Sequence, residues 1–171
     1  MLAFFKNLLR LKIPNAAIAW ASIQNKAGNQ ASNQDKHAYW LYATPVHLVL
    51  QRDTFSLAAP VPLSLDADEV DALTATLNQH FASDGFVFFW HKNTWFLSLP
   101  TNPHISTTAP KIAISRDISA YLPVGEGAIK WASFTNEIQM LLFEHPVNLA
   151  REAKKLPAIN SIWCYGGGQN L

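Results

Sequence analysis

Residues 128–168, AIKWASFTNEIQMLLFEHPVNLAREAKKLPAINSIWCYGGG, decide the fold class. Apolar residues recur at helical spacing from Ala128 to Phe143, and His145-Pro146 ends that helix because proline lacks the N–H that would continue it. Asn148 to Lys155 predicts a short second helix. Ile159 to Tyr165 predicts an apolar strand that runs into glycine. Amphipathic helices followed by a uniformly apolar strand indicate that the helices form a layer that packs on a sheet.

Another helix is predicted upstream by signals at both of its ends. Asp66 and Glu69 have the D-x-x-E spacing of a capping box, in which each residue satisfies a free backbone N–H of the other. Gly85 follows the last apolar position and closes the helix. The apolar stripe between these ends has helical spacing and consists of Val70, Leu73, Leu77 and Phe81.

Two hairpins complete the predicted sheet. Val46 to Gln51 alternates between apolar and polar residues and is joined by Arg52-Asp53 to a strand over residues 55–58. Phe86 to Trp90 and Thr94 to Leu99 flank a three-residue turn. We expect both hairpins in one sheet, with further strands at residues 39–42 and 112–114. The sequence therefore predicts an α+β fold with a mainly antiparallel sheet of about five to seven strands, packed by two main helices.

The N-terminus predicts an amphipathic helix ahead of this domain. Leu2, Phe5 and Leu9 share one side, Lys6 and Arg10 share the other, and a proline follows at position 14. Such a helix can pack on its own domain, on a sister subunit or on a membrane surface. The polar residues that follow form a linker. The predicted division is a helical appendage at 1–24, a linker at 25–37 and one α+β domain at 38–171.

Composition limits the partners of the chain. Hydrophobic residues make up 49% and charged residues 15%, and the net charge is +1. A balanced charge gives no basic surface for nucleic acid. No apolar run approaches the roughly 18 residues that cross a membrane. Apolar content beyond the needs of one core favours a homo-oligomer formed through the N-terminal helix, with a small molecule or another protein as a further partner.

The single cysteine, Cys164, excludes a disulfide within the chain and indicates a reducing, cytoplasmic compartment. Its apolar neighbours predict an inert, buried thiol. The six histidines are scattered, without the spacing of a metal site. Gly125-Glu126-Gly127 lacks the third glycine and the preceding strand of a dinucleotide fingerprint. We therefore predict no catalytic residue, no metal site and no cofactor.

Polar side chains collect around the proline bend and are the candidate ligand-binding residues. We expect Arg151 to fold back onto Glu144, within reach of at least one nearby asparagine. The same residues can form a structural hydrogen-bond network, a binding site or, least expected, a catalytic site. The candidates are Asn136, Glu137, Gln139, Glu144, His145, Asn148, Arg151, Asn160 and Trp163. Gly166 to Gly168 could offer amides to an anion if a helix followed, but we expect either a frayed end or the boundary of a further domain.

Several of these motifs resemble a family of bacterial proteins without an established activity. The resemblance covers residues 38 to 168 and rests on N-E-I-Q-M at 136–140, H-P-V-N at 145–148 and N-S-x-W at 160–163, followed by three glycines. Some members are called cofactor-independent phosphoglycerate mutase and others regulatory or hypothetical proteins. The resemblance implies either a regulatory module or a protein related to phosphoryl transfer.

The mutase name implies a cluster of two metal ions with several Asp and His ligands, since the metals neutralise the phosphate charge. The chain does not offer that ligand set. Asp66, Asp68 and Asp71 belong to the start of a solvated helix, where acidic residues complement the helix dipole. We therefore expect a cytoplasmic binding or regulatory module, and the alternative is part of a phosphoryl-handling enzyme.

Overall fold

The structure is a computed structural model that describes residues 15–26 and 38–169. It has a mixed α+β fold, in which a four-stranded antiparallel sheet accompanies a separate two-stranded sheet. Within the described residues, every helix is too short or too polar to span a bilayer. Residues 1–14 and 27–37 lie outside the described part, and so do the predicted N-terminal helix and most of the predicted linker. The predicted division into domains stays a prediction.

The structure describes four α-helices and six strands in residues 15–26 and 38–169. In order they are α1 (Ala16–Lys26), β1 (Tyr39–Val46), β2 (Leu48–Leu50), β3 (Phe55–Leu57), α2 (Ala67–His80), β4 (Val87–His91), β5 (Thr94–Leu99), α3 (Ala128–Phe143), α4 (Pro146–Ala153) and β6 (Ser161–Gln169). Short 3₁₀ helices cover Ala82–Asp84, Pro110–Ile112 and Ile118–Tyr121. The main sheet has the order β4-β5-β1-β6, and β2 pairs with β3.

The main sheet has fewer strands than predicted, because the first hairpin leaves it. Beyond Val46, the backbone N–H of Leu48 donates to Asn160 Oδ1 at 2.7 Å, and the Leu48 carbonyl accepts from Asn160 Nδ2 at 2.8 Å. This side chain occupies the backbone groups that would otherwise continue the ladder, so β2 and β3 form their own sheet. The predicted strand at 112–114 is also wrong, since Ile114 contributes one isolated bridge to Leu57.

Both predicted helices form where the sequence placed them. The Asp66 side chain accepts from the Glu69 N–H at 2.9 Å, and Glu69 Oε2 accepts from the Asp66 N–H at 3.0 Å, which completes the capping box. Helix α3 has the predicted ends. The two helices cover one face of the sheet over the main core, whose largest buried members include Leu41, Phe81, Leu97, Trp131, Ile138 and Leu142.

Helix α1 covers the opposite face of the sheet. Its Ala16, Ala17 and Trp20 pack on Trp40 and Phe96, and the two indole rings stack with their centres 5.1 Å apart. Successive residues of β1 point to opposite faces, which is why Trp40 meets α1 while its neighbour Leu41 enters the main core. The helix crosses the predicted boundary at residue 24 and contacts the sheet directly.

The three glycines near the C-terminus lie inside β6 and are not a frayed end. The pairing shifts by one residue between Trp40 and Tyr42, and Gly166 adopts a φ of 67° at this bulge. A Cβ atom at Gly167 would lie 2.2 Å from the Tyr39 hydroxyl. Glycine is therefore needed here because side chains of β1 cross the strand closely.

Candidate functional site

The structure separates the predicted polar residues into several groups. Among the described residues, the Arg151 side chain forms no hydrogen bond with another candidate and binds residues outside the predicted cluster. Arg151 is only 3% exposed, and its Nε donates to the Pro157 carbonyl at 2.7 Å. Its Nη1 lies 3.0 Å from both carboxylate oxygens of Glu69. The predicted pair with Glu144 is wrong, since Glu144 is exposed and the partner is the capping residue of α2. Arg151 thereby joins α4 to the start of α2.

Two asparagines of the cluster bind backbone rather than each other. Buried Asn148 donates to the carbonyls of Leu142 and Ile159 at 2.7 and 2.8 Å, and its Oδ1 accepts from the Ile159 N–H at 2.8 Å. Asn160 holds both backbone groups of Leu48, as described above. These amides supply backbone groups at the bend with partners that the chain itself does not provide.

His145 caps the start of α4. Its Nδ1 accepts from the Val147 N–H at 3.2 Å at the start of α4. The proton is therefore assigned to Nε2, which donates to Thr76 Oγ1 at 2.9 Å. Burial lowers the pKa of His145 below its usual 6.5, so the neutral ring required for this cap is favoured.

The remaining candidates lie apart from this network. Asn136 is exposed on the outer face of α3, and Glu137 accepts from His80 at 3.2 Å near the surface. Gln139 and Trp163 line a pocket of about 60 Å³, where the indole N–H donates to the Thr108 carbonyl at 2.8 Å. The nine predicted residues thus do not form one site.

A cleft of about 490 Å³ lies between α3, the end of α2 and the loop at residues 100–104. Its floor is aromatic. Phe134 stands at its centre, with ring centres 4.9 Å from Phe81, 5.2 Å from Phe86 and 4.8 Å from Trp131. Among the predicted site residues, Glu137 is the one that lines this cleft.

Two glycines hold the loop of the cleft against the start of α3. The Gly127 N–H donates to the His104 carbonyl at 3.2 Å. A Cβ atom at Gly127 would lie 1.8 Å from the Pro103 carbonyl oxygen, and one at Gly125, whose φ is 124°, would lie 2.6 Å from the His104 carbonyl oxygen. The Gly-Glu-Gly motif thus permits close approach of two backbone segments.

The rim of the cleft carries more acidic than basic groups. Three carboxylates line it, from Asp84, Glu126 and Glu137, against one lysine, Lys130. His104 also lines the cleft and has a φ of 52°, an uncommon conformation for a residue with a side chain. The lining therefore joins an apolar floor to a rim of negative charge.

Sequence reasoning did not identify this site, because its residues belong to separate segments. One signal in the sequence could have indicated it: the Gly125-Glu126-Gly127 motif, which allows another backbone segment to approach the start of α3. The N-cap of that helix has no side-chain hydrogen bond. Among the described residues, no group of three His, Cys, Asp or Glu side chains is placed to hold a metal ion. Burial raises the pKa of Cys164 to about 12, which keeps the thiol protonated at neutral pH and agrees with the predicted inert cysteine.

No family model matches the chain, and neither a curated protein nor a solved structure matches it. The resemblance to the bacterial family described above stays a hypothesis. The geometry of the cleft is consequently the main basis for a functional conclusion.

Proposed function

We propose that this protein is a binding module that takes a small organic ligand with an apolar, ring-containing body and a positively charged end. The observation that carries the proposal is the cleft of about 490 Å³ with an aromatic floor and three carboxylates on its rim. A regulatory role would follow if ligand binding alters an interaction of the module. We place the module in the cytoplasm because its one cysteine is a buried, free thiol.

The size and floor of the cleft support a small ligand. Pockets for such ligands usually enclose about 300 to 1,000 Å³ and combine apolar walls with a few polar groups. Phe81, Phe134 and Trp131 are almost fully buried, so their positions are fixed by the core before any ligand arrives. A preformed floor avoids the ordering cost that a flexible site would add to binding.

The charge of the rim supports a cation. Carboxylates attract an ammonium group and repel phosphate or carboxylate, and this effect is strongest for groups that lose water on binding. Among the described lining residues, Lys130 is the one cation other than a histidine. The alternative, part of a phosphoryl-handling enzyme, would need more positive charge at this position than Lys130 supplies.

Thermal unfolding with matched compounds tests the proposal. The set contains an aromatic amine, the aromatic carboxylate of the same shape, and phosphorylated metabolites with and without divalent metal. A ligand at about 100 times its Kd adds about 2.7 kcal/mol to stability, which gives a clear rise in Tm. We expect the amine to raise Tm and the carboxylate to leave it unchanged.

The variants Asp84→Asn and Glu126→Gln test whether the amine binds in the cleft. Each should lower the affinity for the amine about five-fold, since it removes a rim carboxylate. Glu152→Gln is the matched control, because Glu152 is an exposed acid outside the cleft. A rise in Tm with phosphorylated compounds alone would favour the enzyme alternative and contradict the proposal.

A further inference from the structure

The outer face of α3 is apolar and lies opposite its buried stripe. Ile129, Met140 and Phe143 are 86%, 78% and 78% exposed. Ser133 and Asn136 lie between them on the same face and are also exposed. These five residues, here called the outer seam, carry no charge. Large side chains this exposed on one helix face are typical of a surface that contacts another protein.

The spacing of the outer seam is that of a coiled coil. Positions 129, 133, 136, 140 and 143 are separated alternately by four and three residues. This heptad spacing keeps the residues on one narrow line along the helix, where a second helix can pack. A helix that only contacts solvent on this face has no need of such spacing.

We propose that a second copy of the chain packs its α3 antiparallel on the outer seam, about a twofold axis that passes beside Asn136. Antiparallel pairing places Ile129 opposite Phe143 of the second copy, and Ser133 within one residue of Met140. Asn136 meets its own counterpart. An amide has both a donor and an acceptor, so two asparagines on the axis can satisfy each other and fix the register.

Charges on one flank of the seam favour the antiparallel arrangement. Lys130, Glu137 and Glu144 follow one another at seven-residue intervals, so they share one flank of the helix. The twofold axis brings the same flanks together and sets Lys130 opposite Glu144 of the second copy, twice in the dimer. A parallel pair would instead set this flank against the other flank of the second copy, where Ala132 and Gln139 carry no charge, so this attraction would be lost.

Glu137 is the residue on this flank that opposes association. It lies next to the axis, so the two copies bring their Glu137 carboxylates near each other. Each accepts a hydrogen bond from its own His80 at 3.2 Å. Because like charges facing each other destabilise a helix pair, Glu137→Gln should strengthen the dimer about three-fold.

The interface borders the cleft, since Lys130, Ser133 and Glu137 line both. Glu144 of the second copy would add a further carboxylate near Lys130 at the rim. This consequence rests on the proposed function, whereas the dimer itself does not. A single helix pair covers less than the roughly 800 Å² per partner of a stable interface, so we expect a Kd of about 10 to 100 µM.

Sedimentation equilibrium of the full chain, between about 5 and 300 µM and without ligand, tests the dimer. Met140→Glu should weaken it at least ten-fold, because it places a charge in the seam. Leu50→Glu is the matched control, since Leu50 is 67% exposed on β2 and far from α3 in the sequence. The control should associate as the wild type does.

A charge exchange tests the antiparallel register. Lys130→Glu and Glu144→Lys should each weaken the dimer, because each places two like charges opposite each other. The double variant should restore the dimer, because a glutamate at 130 then faces a lysine at 144 of the second copy. Failure of the double variant to restore association would overturn the register. A wild-type protein that stays monomeric at the highest concentration would overturn the dimer.

The N-terminal segment is the competing explanation for any association. If Met140→Glu leaves the dimer intact and Leu9→Glu abolishes it, the chain associates through the N-terminus predicted from the sequence, and the outer seam is not the interface. The Asp84 and Glu126 variants of the cleft lie off the seam. A failed ligand test and a failed dimer test can therefore be told apart.

Discussion

The bend around Pro146 and the cleft beside α3 are both rich in polar residues, yet they use them differently. At the bend, Asn148 and Arg151 are buried and bind backbone carbonyls. At the cleft, Glu126 and Lys130 are exposed on the rim above an aromatic floor. The comparison shows that polar residues concentrated in the sequence can all be used inside the fold. We propose the cleft as the binding site because its polar groups are exposed above a preformed apolar surface.

The two regions should therefore respond oppositely to substitution. A buried polar group stays favourable only while it is hydrogen-bonded, so removing its partner leaves an uncompensated group inside the protein. An exposed carboxylate regains water when its neighbour is removed, and stability hardly changes. Substitution at the bend should affect folding, and substitution at the cleft should affect ligand binding.

The largest effect is expected for Arg151→Ala. The change removes the bonds to Glu69 and to the Pro157 carbonyl, so the free energy of unfolding should fall by about 3 kcal/mol. Chemical denaturation followed by tryptophan fluorescence measures it. Arg116→Ala is the control, since exposed Arg116 bonds the Tyr121 hydroxyl at 3.0 Å, and its midpoint should match that of the wild type. An unchanged midpoint for Arg151→Ala would refute a structural role for the bend.

Gly127→Ala should have an intermediate effect and should lower both the stability of the fold and the affinity for the ligand. The added Cβ would lie 1.8 Å from the Pro103 carbonyl oxygen, so the loop of the cleft must move. Overpacking of this kind costs about 2 kcal/mol. The denaturation midpoint and the affinity for the aromatic amine should fall together. Loss of stability with unchanged affinity would show that the loop does not shape the binding site.

The smallest effect concerns His145 and pH. Burial lowers its pKa in the folded state below 6.5, so the unfolded chain takes up the proton first as the solution is acidified. The stabilisation from His145 is present above about pH 6.5 and is lost as the pH falls towards the folded-state pKa. His145→Asn keeps a capping side chain but does not titrate. Between about pH 7.5 and 5.5, its stability should fall less than that of the wild type. Equal losses would contradict the assigned cap.

Local signals were sufficient to predict some of these features. The Asp66–Glu69 capping box and the ends of α3 depend on residues within a few positions of each other, and both were confirmed. The glycines of β6 were misjudged, because the need for glycine comes from Tyr39 and Tyr42 on a distant strand. Neighbouring residues determine where helices begin and end, but they do not show which side chains of another strand pack against a given position.

Both the bend and the candidate cleft depend on contacts between distant parts of the chain. Arg151 binds a glutamate 82 positions away, whereas the sequence favoured the nearer Glu144. The cleft collects residues from 81–86, 99–104 and 126–137, none of which carries a catalytic motif. Such a site becomes visible only when the helices and the loop are packed together.

The central claim is that polar residues at the bend stabilise the fold while those at the cleft bind a ligand. Its most direct test compares denaturation and amine binding for Glu69→Gln with the triple variant Asp84→Asn, Glu126→Gln and Glu137→Gln. We expect Glu69→Gln to lose more than about 1 kcal/mol and to bind the amine as the wild type does. The triple variant should keep its midpoint within about 0.5 kcal/mol and lose the amine-induced rise in Tm. A triple variant that unfolds more easily than Glu69→Gln, or that binds the amine unchanged, would contradict the account.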